Sequence, residues 1–366
     1  MKKTLIAAAV LMLSSATFAQ VTITGTVAYG YKASSTSANQ GSTADQLKQG
    51  VTNAIVGGSG GNPTGNSSGF GIDTSLVTFS AKEDLGSGMS IAAEMAIDGL
   101  NRASIGGGDM SLKLTTGVGR LSLQTYKPAD YLSGGISGVG GVGMDNKVFP
   151  SRGLKDAVGF DTKLGPIFVG FAHMEQASVS SSTTSGVGAG LGIGGEGAAS
   201  TTGQRLTSLS ATYVGGALIA NLNYLVYDGR TDNVNTSYKD VIRTAASYNF
   251  GSFKVGGGVS VLTVTGGGTL TDSLVAVSVP VGAFTLGANF AQETFSGSVA
   301  QTIPVTGVGN VPFAAGRLDQ TRSGYGLSVA YALTKRTSIT ATYADWLPAE
   351  GKNRNNEATM LLSHSF

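Results

Sequence analysis

The stretch Met89-Ser-Ile-Ala-Ala-Glu-Met-Ala-Ile97 alternates apolar residues with small or polar ones. In an extended strand successive side chains point to opposite faces, so the large apolar residues share one face and Glu94 lies on the other. A helix with about 3.6 residues per turn would scatter the same apolar side chains around its circumference. The pattern therefore predicts a β-strand with one apolar face and one polar face.

Segments of this kind recur along the whole chain, and we count sixteen of them. Most span about ten residues or more, the length that crosses a bilayer on a tilted strand. The predicted strands are centred in residues 21–33, 72–84, 87–98, 108–116, 119–127, 155–164, 167–177, 205–214, 217–228, 239–250, 252–265, 270–280, 283–294, 322–333, 336–346 and 357–366. A chain that is moderately apolar throughout is typical of a sheet between lipid and water.

The connections between these strands alternate in length. The tight turns are Asp84-Leu85-Gly86, Gly117-Val118, Gly165-Pro166, Gly215-Gly216, Gly251-Ser252, Val281-Gly282 and Thr334-Lys335. The connections between the turns tend to be longer and rich in Gly, Ser, Thr and Asn, as in residues 34–71, 128–155, 178–204 and 295–321. Short turns at one rim and long loops at the other predict an all-β fold: a sixteen-stranded antiparallel transmembrane β-barrel. An even strand number places both termini at the rim of the short turns.

The first nineteen residues have the pattern of a cleavable export signal. Lys2 and Lys3 precede an apolar run from Leu5 to Leu13, and small residues lead to Ala19. The run is too short for a transmembrane helix, which needs about 20 apolar residues. We therefore predict a signal peptide over residues 1–19, cleaved near Ala19, and a barrel domain over residues 20–366.

Charge and composition exclude several classes of function. The chain has 24 basic and 22 acidic residues, and Lys2 and Lys3 leave with the signal, so the mature protein is neutral. A neutral chain without a basic run has no field that attracts nucleic acid. The absence of cysteine excludes disulfides and thiolate metal sites, and two histidines leave little for metal ligation. We expect no cofactor and no metal.

Four short segments carry a resemblance to a known family. The chain resembles the trimeric general porins of β-proteobacteria, the group that includes neisserial and comamonad porins. The matching segments are Val21-Thr-Ile-Thr-Gly-Thr-Val27, the stretch from Phe79 through Glu83-Asp-Leu-Gly-Ser-Gly88, Leu333-Thr-Lys-Arg-Thr337 and Ser363-His-Ser-Phe366. The last two are fairly specific together, although the family more often has Ser where Thr334 stands.

The resemblance implies a sixteen-stranded barrel, a homotrimer, and a third loop that folds inward and narrows the pore. In this chain that loop is the segment from Pro128 to about Lys155. Leu76 stands where the family usually has a pore-facing Arg, Ser80 where it often has Lys, and Thr125 where it often has Arg. These departures thin the basic wall and argue against strong anion selectivity.

A channel works through a polar lumen whose fixed charges bias the passage of ions. Strand parity predicts which charges point inward, because the apolar residues of each strand define the lipid face. The predicted pore-lining residues of the wall are Glu94, Asp98, Lys113, Arg120, Arg243 and Arg322, accompanied by the polar Gln124, Asn221 and Asn223. An ordinary position at a rim is the alternative for each single charge.

The inward loop adds charges of both signs. Asp130 and Asp145 are its acids, and Lys127, Lys147 and Arg152 are the basic residues in or beside it. We hypothesise that the loop acids face the basic residues of the wall. Such an arrangement sets up a transverse field at the constriction and leaves the net selectivity weak.

The pattern favours an outer-membrane porin for passive diffusion of ions and small hydrophilic solutes. A substrate-specific channel, or an adhesive or structural barrel acting through its long loops, is the alternative. An enzyme is disfavoured because neither His173 nor His364 stands in a recognisable catalytic motif. Gly256-Gly-Gly258 is a weak hint of a nucleotide loop and is better interpreted as a strand with close packing.

An outer-membrane location implies further partners. These are outer-membrane lipid, lipopolysaccharide and the barrel-assembly machinery, in addition to the solutes themselves. The aromatic Phe366 at the chain end is predicted to lie in the interfacial girdle and to close the barrel.

Overall fold

The fold is that of a computed structural model, which describes residues 20–36, 65–99, 106–127, 132–145, 147–149, 155–176, 204–229, 238–264, 268–297, 301–305, 309–313, 320–348 and 354–366. The predicted signal peptide lies outside these residues. The strands are β1 Gln20–Thr36, β2 Gly65–Gly86, β3 Met89–Asp98, β4 Gly106–Thr116, β5 Gly119–Tyr126, β6 Lys155–Leu164, β7 Ile167–Gln176, β8 Gln204–Gly215, β9 Leu218–Gly229, β10 Tyr238–Asn249, β11 Lys254–Val264, β12 Thr269–Val281, β13 Phe284–Ser296, β14 Gln301–Val305, β15 Gly309–Phe313, β16 Gln320–Ala332, β17 Thr337–Leu347 and β18 Asn355–Ser365. Within the described ranges, no helix is long and apolar enough to span a membrane.

Sixteen of these strands form one closed antiparallel barrel in the order β1-β18-β17-β16-β13-β12-β11-β10-β9-β8-β7-β6-β5-β4-β3-β2. The seam joins the first and last strands, with Tyr31 opposite Met360. Beyond the end of β18, the Phe366 amide donates to the Gly25 carbonyl over 3.0 Å, and the Gly25 amide donates to the Phe366 carbonyl over 3.1 Å. Closure leaves no barrel strand with an unpaired edge, as a bilayer requires.

Side chains alternate between two faces around the barrel. In β3, Met95 is 46% exposed and its neighbour Ala96 is 7% exposed. In β12, Leu274 and Ala276 are buried whereas Val275 between them is 61% exposed. Since the exposed large side chains are apolar, their face is the lipid face and the opposite parity points inward.

All sixteen predicted barrel strands are confirmed, and the start of β1 and the chain end at Phe366 both lie at the rim of the short turns. Residues 295–321 form a long connection between two barrel strands, as predicted, but the sequence did not indicate that β14 and β15 form a separate two-stranded sheet within it. Pro304 lies opposite Asn310, and Pro312 lies opposite Thr302. Proline argues against a central strand, but each strand of an isolated pair has a free edge that tolerates the missing N–H donor.

Three tight turns lie slightly later in the chain than predicted. The turn after β2 is formed by Ser87-Gly88 instead of Asp84-Leu85-Gly86, because a bulge between Asp84 and Gly86 carries β2 further. Ser87 and Gly88 have φ values of 52° and 76°, the left-handed pair that two-residue hairpins require. In the other two cases the turn begins at Gly216 and Gly282, the second residue of each predicted pair.

Candidate functional site

A segment between β5 and β6 lies inside the barrel against the opposite wall. We call residues 132–145 and 147–149 the interior loop. Its four large buried side chains pack on inward residues of β12, β13 and β17. The members of this cluster are Leu132, Met144, Val148 and Phe149 from the loop and Leu274, Ala276, Ala291, Ala344 and Trp346 from the wall.

Hydrogen bonds also hold the interior loop on that wall. The Asn289 side-chain amide of β13 donates to the Val142 carbonyl over 2.7 Å, and the Val142 amide donates back to Asn289 Oδ1 over 3.4 Å. Within the loop, the Ser137 hydroxyl donates to the Leu132 carbonyl over 2.7 Å. The loop therefore has a defined place across the lumen from the strands that precede it.

Glycines make this close approach feasible. We call the inward-facing Gly256, Gly258, Gly287, Gly324 and Gly326 the glycine bed. A Cβ on Gly324 would lie 2.9 Å from Val148 Cγ2, and one on Gly326 would lie 2.8 Å from Val142 Cβ. A Cβ on Gly256 would overlap the Ser137 carbonyl oxygen. The close packing expected of residues 256–258 is confirmed, and it concerns the two glycines that face inward.

The wall formed by β2 to β5 carries the predicted charges. Glu94 lies between Ser80 and Ser111 of the adjacent strands. Lys113 and Arg120 have the same inward parity, which is opposite to that of the exposed Leu121 and Leu123. Asp98 also faces inward, beside Leu76. We call the inward face of β2 to β5 the charged wall.

One ion pair near the short turns extends the charged wall to β6. Arg120 donates through Nη2 to the Asp161 carboxylate over 2.8 Å. Both side chains remain partly exposed, at 49% and 35%. Screening by water makes such a pair weak, so its two charges largely cancel for a passing ion without fixing the fold.

The two arginines predicted on later strands point inward but differ in exposure. Arg243 on β10 lies between Asn223 and Ser260 and is half-buried. Arg322 on β16 lies 3.4 Å from the Glu293 carboxylate, and the two residues are 4% and 1% exposed. The charge of Arg322 therefore belongs to a buried pair in the wall and does not line the open lumen.

The structure describes some of the charged residues of the predicted inward loop, residues 128–155. Asp130 and Arg152 lie outside the described residues, and Asp145 is buried. Lys147 lies 3.5 Å from the Glu357 carboxylate of β18. Here the positive charge is on the loop and the negative charge is on the wall. The hypothesis from sequence placed acids on the loop and bases on the wall.

The resemblance placed three neutral residues at usual basic positions of the pore. Leu76 and Ser80 do face inward, opposite Asp98 and Glu94. Thr125 does not, because it pairs with the exposed Met110 on the lipid side and donates a hydrogen bond to Asp156. Its parity removes Thr125 from the lumen.

Sequence reasoning missed an apolar region on the inward side of β6 to β13. It lies toward the rim of the long connections and is buried throughout. The cluster comprises Ala157, Met174, Leu206, Leu225, Val241, Leu262, Val264, Leu270 and Phe295. The rule that inward residues are polar therefore fails on this part of the barrel.

The histidines show no catalytic arrangement in the described part of the chain. The His173 ring is on the lipid side, with Nδ1 3.2 Å from the Thr207 hydroxyl. His364 Nδ1 is 2.9 Å from the Thr337 hydroxyl beside the last short turn. Each ring is engaged by a cross-strand threonine on an exposed surface, a structural arrangement.

Comparison with known proteins agrees with this architecture. A family model described as Gram-negative porin matches residues 5–346. No curated protein sequence matches the chain. Among solved structures, the anion-selective porin from Comamonas acidovorans has a TM-score of 0.58 at 16% identity, covering 95% of this chain and 100% of its own.

Two further structures share the fold. An OmpT variant of Vibrio cholerae that lacks loop L8 has a TM-score of 0.58 at 12% identity, covering 95% of this chain and 99% of its own. A mutant of the Rh. blastica porin has a TM-score of 0.54 at 10% identity, covering 95% of this chain and 100% of its own. At such low identity these likenesses establish the fold alone.

The fold and the family model lead to the same function. A closed barrel with an apolar outside and charges inside is built to pass small solutes across the outer membrane by diffusion, and it points to a channel rather than an enzyme. The match over nearly the whole chain shows that this protein belongs to the Gram-negative porin family.

Proposed function

We propose that hydrophilic solutes pass between the interior loop and the charged wall, and that the protein is a general porin with weak selectivity between anions and cations. The observation that carries this proposal is the division of the lumen. The loop occupies the inward face of β11 to β17, whereas Glu94 and Arg120 on the facing wall stay exposed. A solute therefore meets the fixed charges of β2 to β6.

The proposed weak selectivity follows from the balance of these charges. The inward bases and acids from β2 to β6 are equal in number. They are Lys82, Lys113, Arg120, Lys155 and Lys163 against Asp84, Glu94, Asp98, Asp109 and Asp161. The Comamonas acidovorans relative is named an anion-selective porin. Leu76 and Ser80 weaken the basic wall here, so we expect a smaller preference.

Charge removal on the charged wall tests this proposal. We expect Lys113→Gln to lower the anion-to-cation permeability ratio and Glu94→Gln to raise it, each by about twofold. A unit charge about 8 Å from the ion path in a water-like medium contributes about 0.5 kcal/mol, with opposite signs for anions and cations. Screening by salt over about one Debye length reduces the difference between the two ions to about 0.4 kcal/mol, which corresponds to about twofold. The measurement is the reversal potential of purified protein in planar bilayers under a salt gradient.

Lys239→Gln is the control for these variants, because Lys239 is an exposed residue at the opposite rim, close to the start of β10. Equal reversal potentials for all three variants and the unaltered protein would show that the ion path avoids the charged wall. If the protein still conducts ions but its reversal potential does not change in any variant, it is a channel whose ions do not follow the proposed route.

We further propose a homotrimer, exported with removal of residues 1–19, assembled by the barrel-assembly machinery and embedded in outer-membrane lipid and lipopolysaccharide. Support comes from the resemblance to trimeric porins and from the pattern of residues 1–19, in which two lysines precede a short apolar run and small residues lead to Ala19. Purified protein is expected to migrate as an SDS-resistant oligomer that heating converts to monomer. Monomer alone in mild detergent would contradict the trimer.

A further inference from the structure

Glu357 occupies the point where the barrel seam and the interior loop meet. Its carboxylate lies 2.7 Å from Lys32 Nζ of β1 and 3.5 Å from Lys147 Nζ of the interior loop. The Glu357 and Lys147 side chains are 17% and 16% exposed, whereas Lys32 is 58% exposed. One acid therefore links the first strand, the last strand and the loop.

Lys147 is held from a second side. Its ammonium lies 5.5 Å from the ring centroid of Trp346, which is 2% exposed on β17. The next two loop residues, Val148 and Phe149, are fully buried in the cluster under the loop. The cationic head is thus the polar end of an anchor whose apolar part is already in the wall.

Removal of the acid changes more than one ion pair. Both lysines are close to the same carboxylate, so without it two positive charges face each other in a partly desolvated corner. Like charges at such a separation repel, and burial strengthens the repulsion. The Lys147 end of the interior loop would then be pushed away from the wall.

We propose that Glu357 is a positioning residue that fixes the interior loop to the barrel seam by sharing its carboxylate between Lys32 and Lys147. The inference rests on the proposed function, since it identifies what keeps the pore cross-section constant. Through Glu357, the width of the channel depends on the pairing of the first and last strands.

Single-channel recording of Glu357→Gln tests the inference. We expect transient closures to become about fivefold more frequent at a given voltage, which corresponds to about 1 kcal/mol of lost docking energy. In a Lys147→Gln background the same change should have little effect, because the loop no longer carries the charge that Glu357 holds. An undiminished effect in that background, or no effect of Glu357→Gln alone, would overturn the proposal.

A spectroscopic measurement keeps the test independent of conduction. The chain has no cysteine, so a nitroxide on Gly143→Cys reports on the interior loop alone. Its spectrum should show a more mobile label in Glu357→Gln than in the otherwise unaltered protein, and equal mobility would also overturn the proposal. A silent barrel with an ordered label would refute the channel and leave the role of Glu357 in the loop intact. Retained heat-modifiable migration shows that the variant is folded.

Discussion

Gly256→Val is expected to dislodge the interior loop and to give channels with lower and more variable conductance. A side chain at Gly256 would overlap the Ser137 carbonyl, a backbone atom that cannot rotate away. Overpacking of this kind costs about 2 kcal/mol, which lowers the ratio of docked to undocked loop by roughly thirtyfold. The displaced backbone moves toward the charged wall, so the remaining passage becomes narrower. Single-channel amplitude histograms in planar bilayers measure the effect.

Gly257→Val is the matched control, because it lies on the same strand and faces lipid. A Cβ there meets just the Leu274 carbonyl oxygen, at 3.6 Å, an ordinary contact. Valine has a higher strand propensity than glycine, so the control preserves or improves the barrel. Identical conductance histograms for the two variants would show that the interior loop does not rely on the glycine bed.

The barrel was predictable because its determinants are local. Whether Met95 faces lipid and Glu94 faces water follows from strand parity, and parity is visible within about ten residues. The alternation of short and long connections then gave the topology without any long-range information. The same parity placed Glu94, Asp98, Lys113 and Arg120 on the inward side, and the register of the strands agrees with that side; that these residues line the constriction stays a prediction.

The docking of the interior loop was not predictable from local patterns. Arg322 was expected to line the pore on parity alone, but it is buried beside Glu293. The partners of Glu357 lie on β1 and in the interior loop, far from it in sequence. Strand parity predicts which side of the sheet a residue faces, but it does not predict which other residues pack on that side.

The inner apolar cluster of β6 to β13 illustrates the same limit. Leu225 and Val241 share the parity of the inward Asn223 and Arg243, although apolar residues define the lipid face elsewhere in the barrel. They are buried cross-strand partners, whereas their neighbours Val226 and Ile242 are exposed. Where both parities are apolar, a single sequence does not identify the inward face.

Thr125 shows how a family resemblance errs by one residue. A shift of one residue along a strand moves the assigned side chain from the lumen to the lipid face. Gln124 and Tyr126 are the inward residues on either side of Thr125, as their pairing with Ala157 and Lys155 shows. The basic wall is therefore thinned at two of the three positions expected from the resemblance, and the third position has no bearing on the pore.

Deletion of Phe366 is expected to destabilise the barrel more than any change confined to the lipid face. The residue contributes two backbone hydrogen bonds to Gly25 and lays its ring over the glycine, where a Cβ would clash with the ring. Each hydrogen bond contributes about 1 kcal/mol, and the partly exposed ring adds about 1 kcal/mol. The sum of about 3 kcal/mol acts at the seam, where the sheet closes.

Urea unfolding of the purified barrel, refolded in detergent without assembly proteins, measures this loss. Phe366→Ala should lie between the deletion and the unaltered protein, because it keeps both backbone bonds and loses the ring. Phe250→Ala is the control, since Phe250 is an exposed aromatic at the same rim and stacks on Phe253 away from the seam. A deletion as stable as this control would show that the seam closes without its last residue. Normal refolding combined with failed assembly in cells would instead place the role of Phe366 in recognition by the assembly machinery.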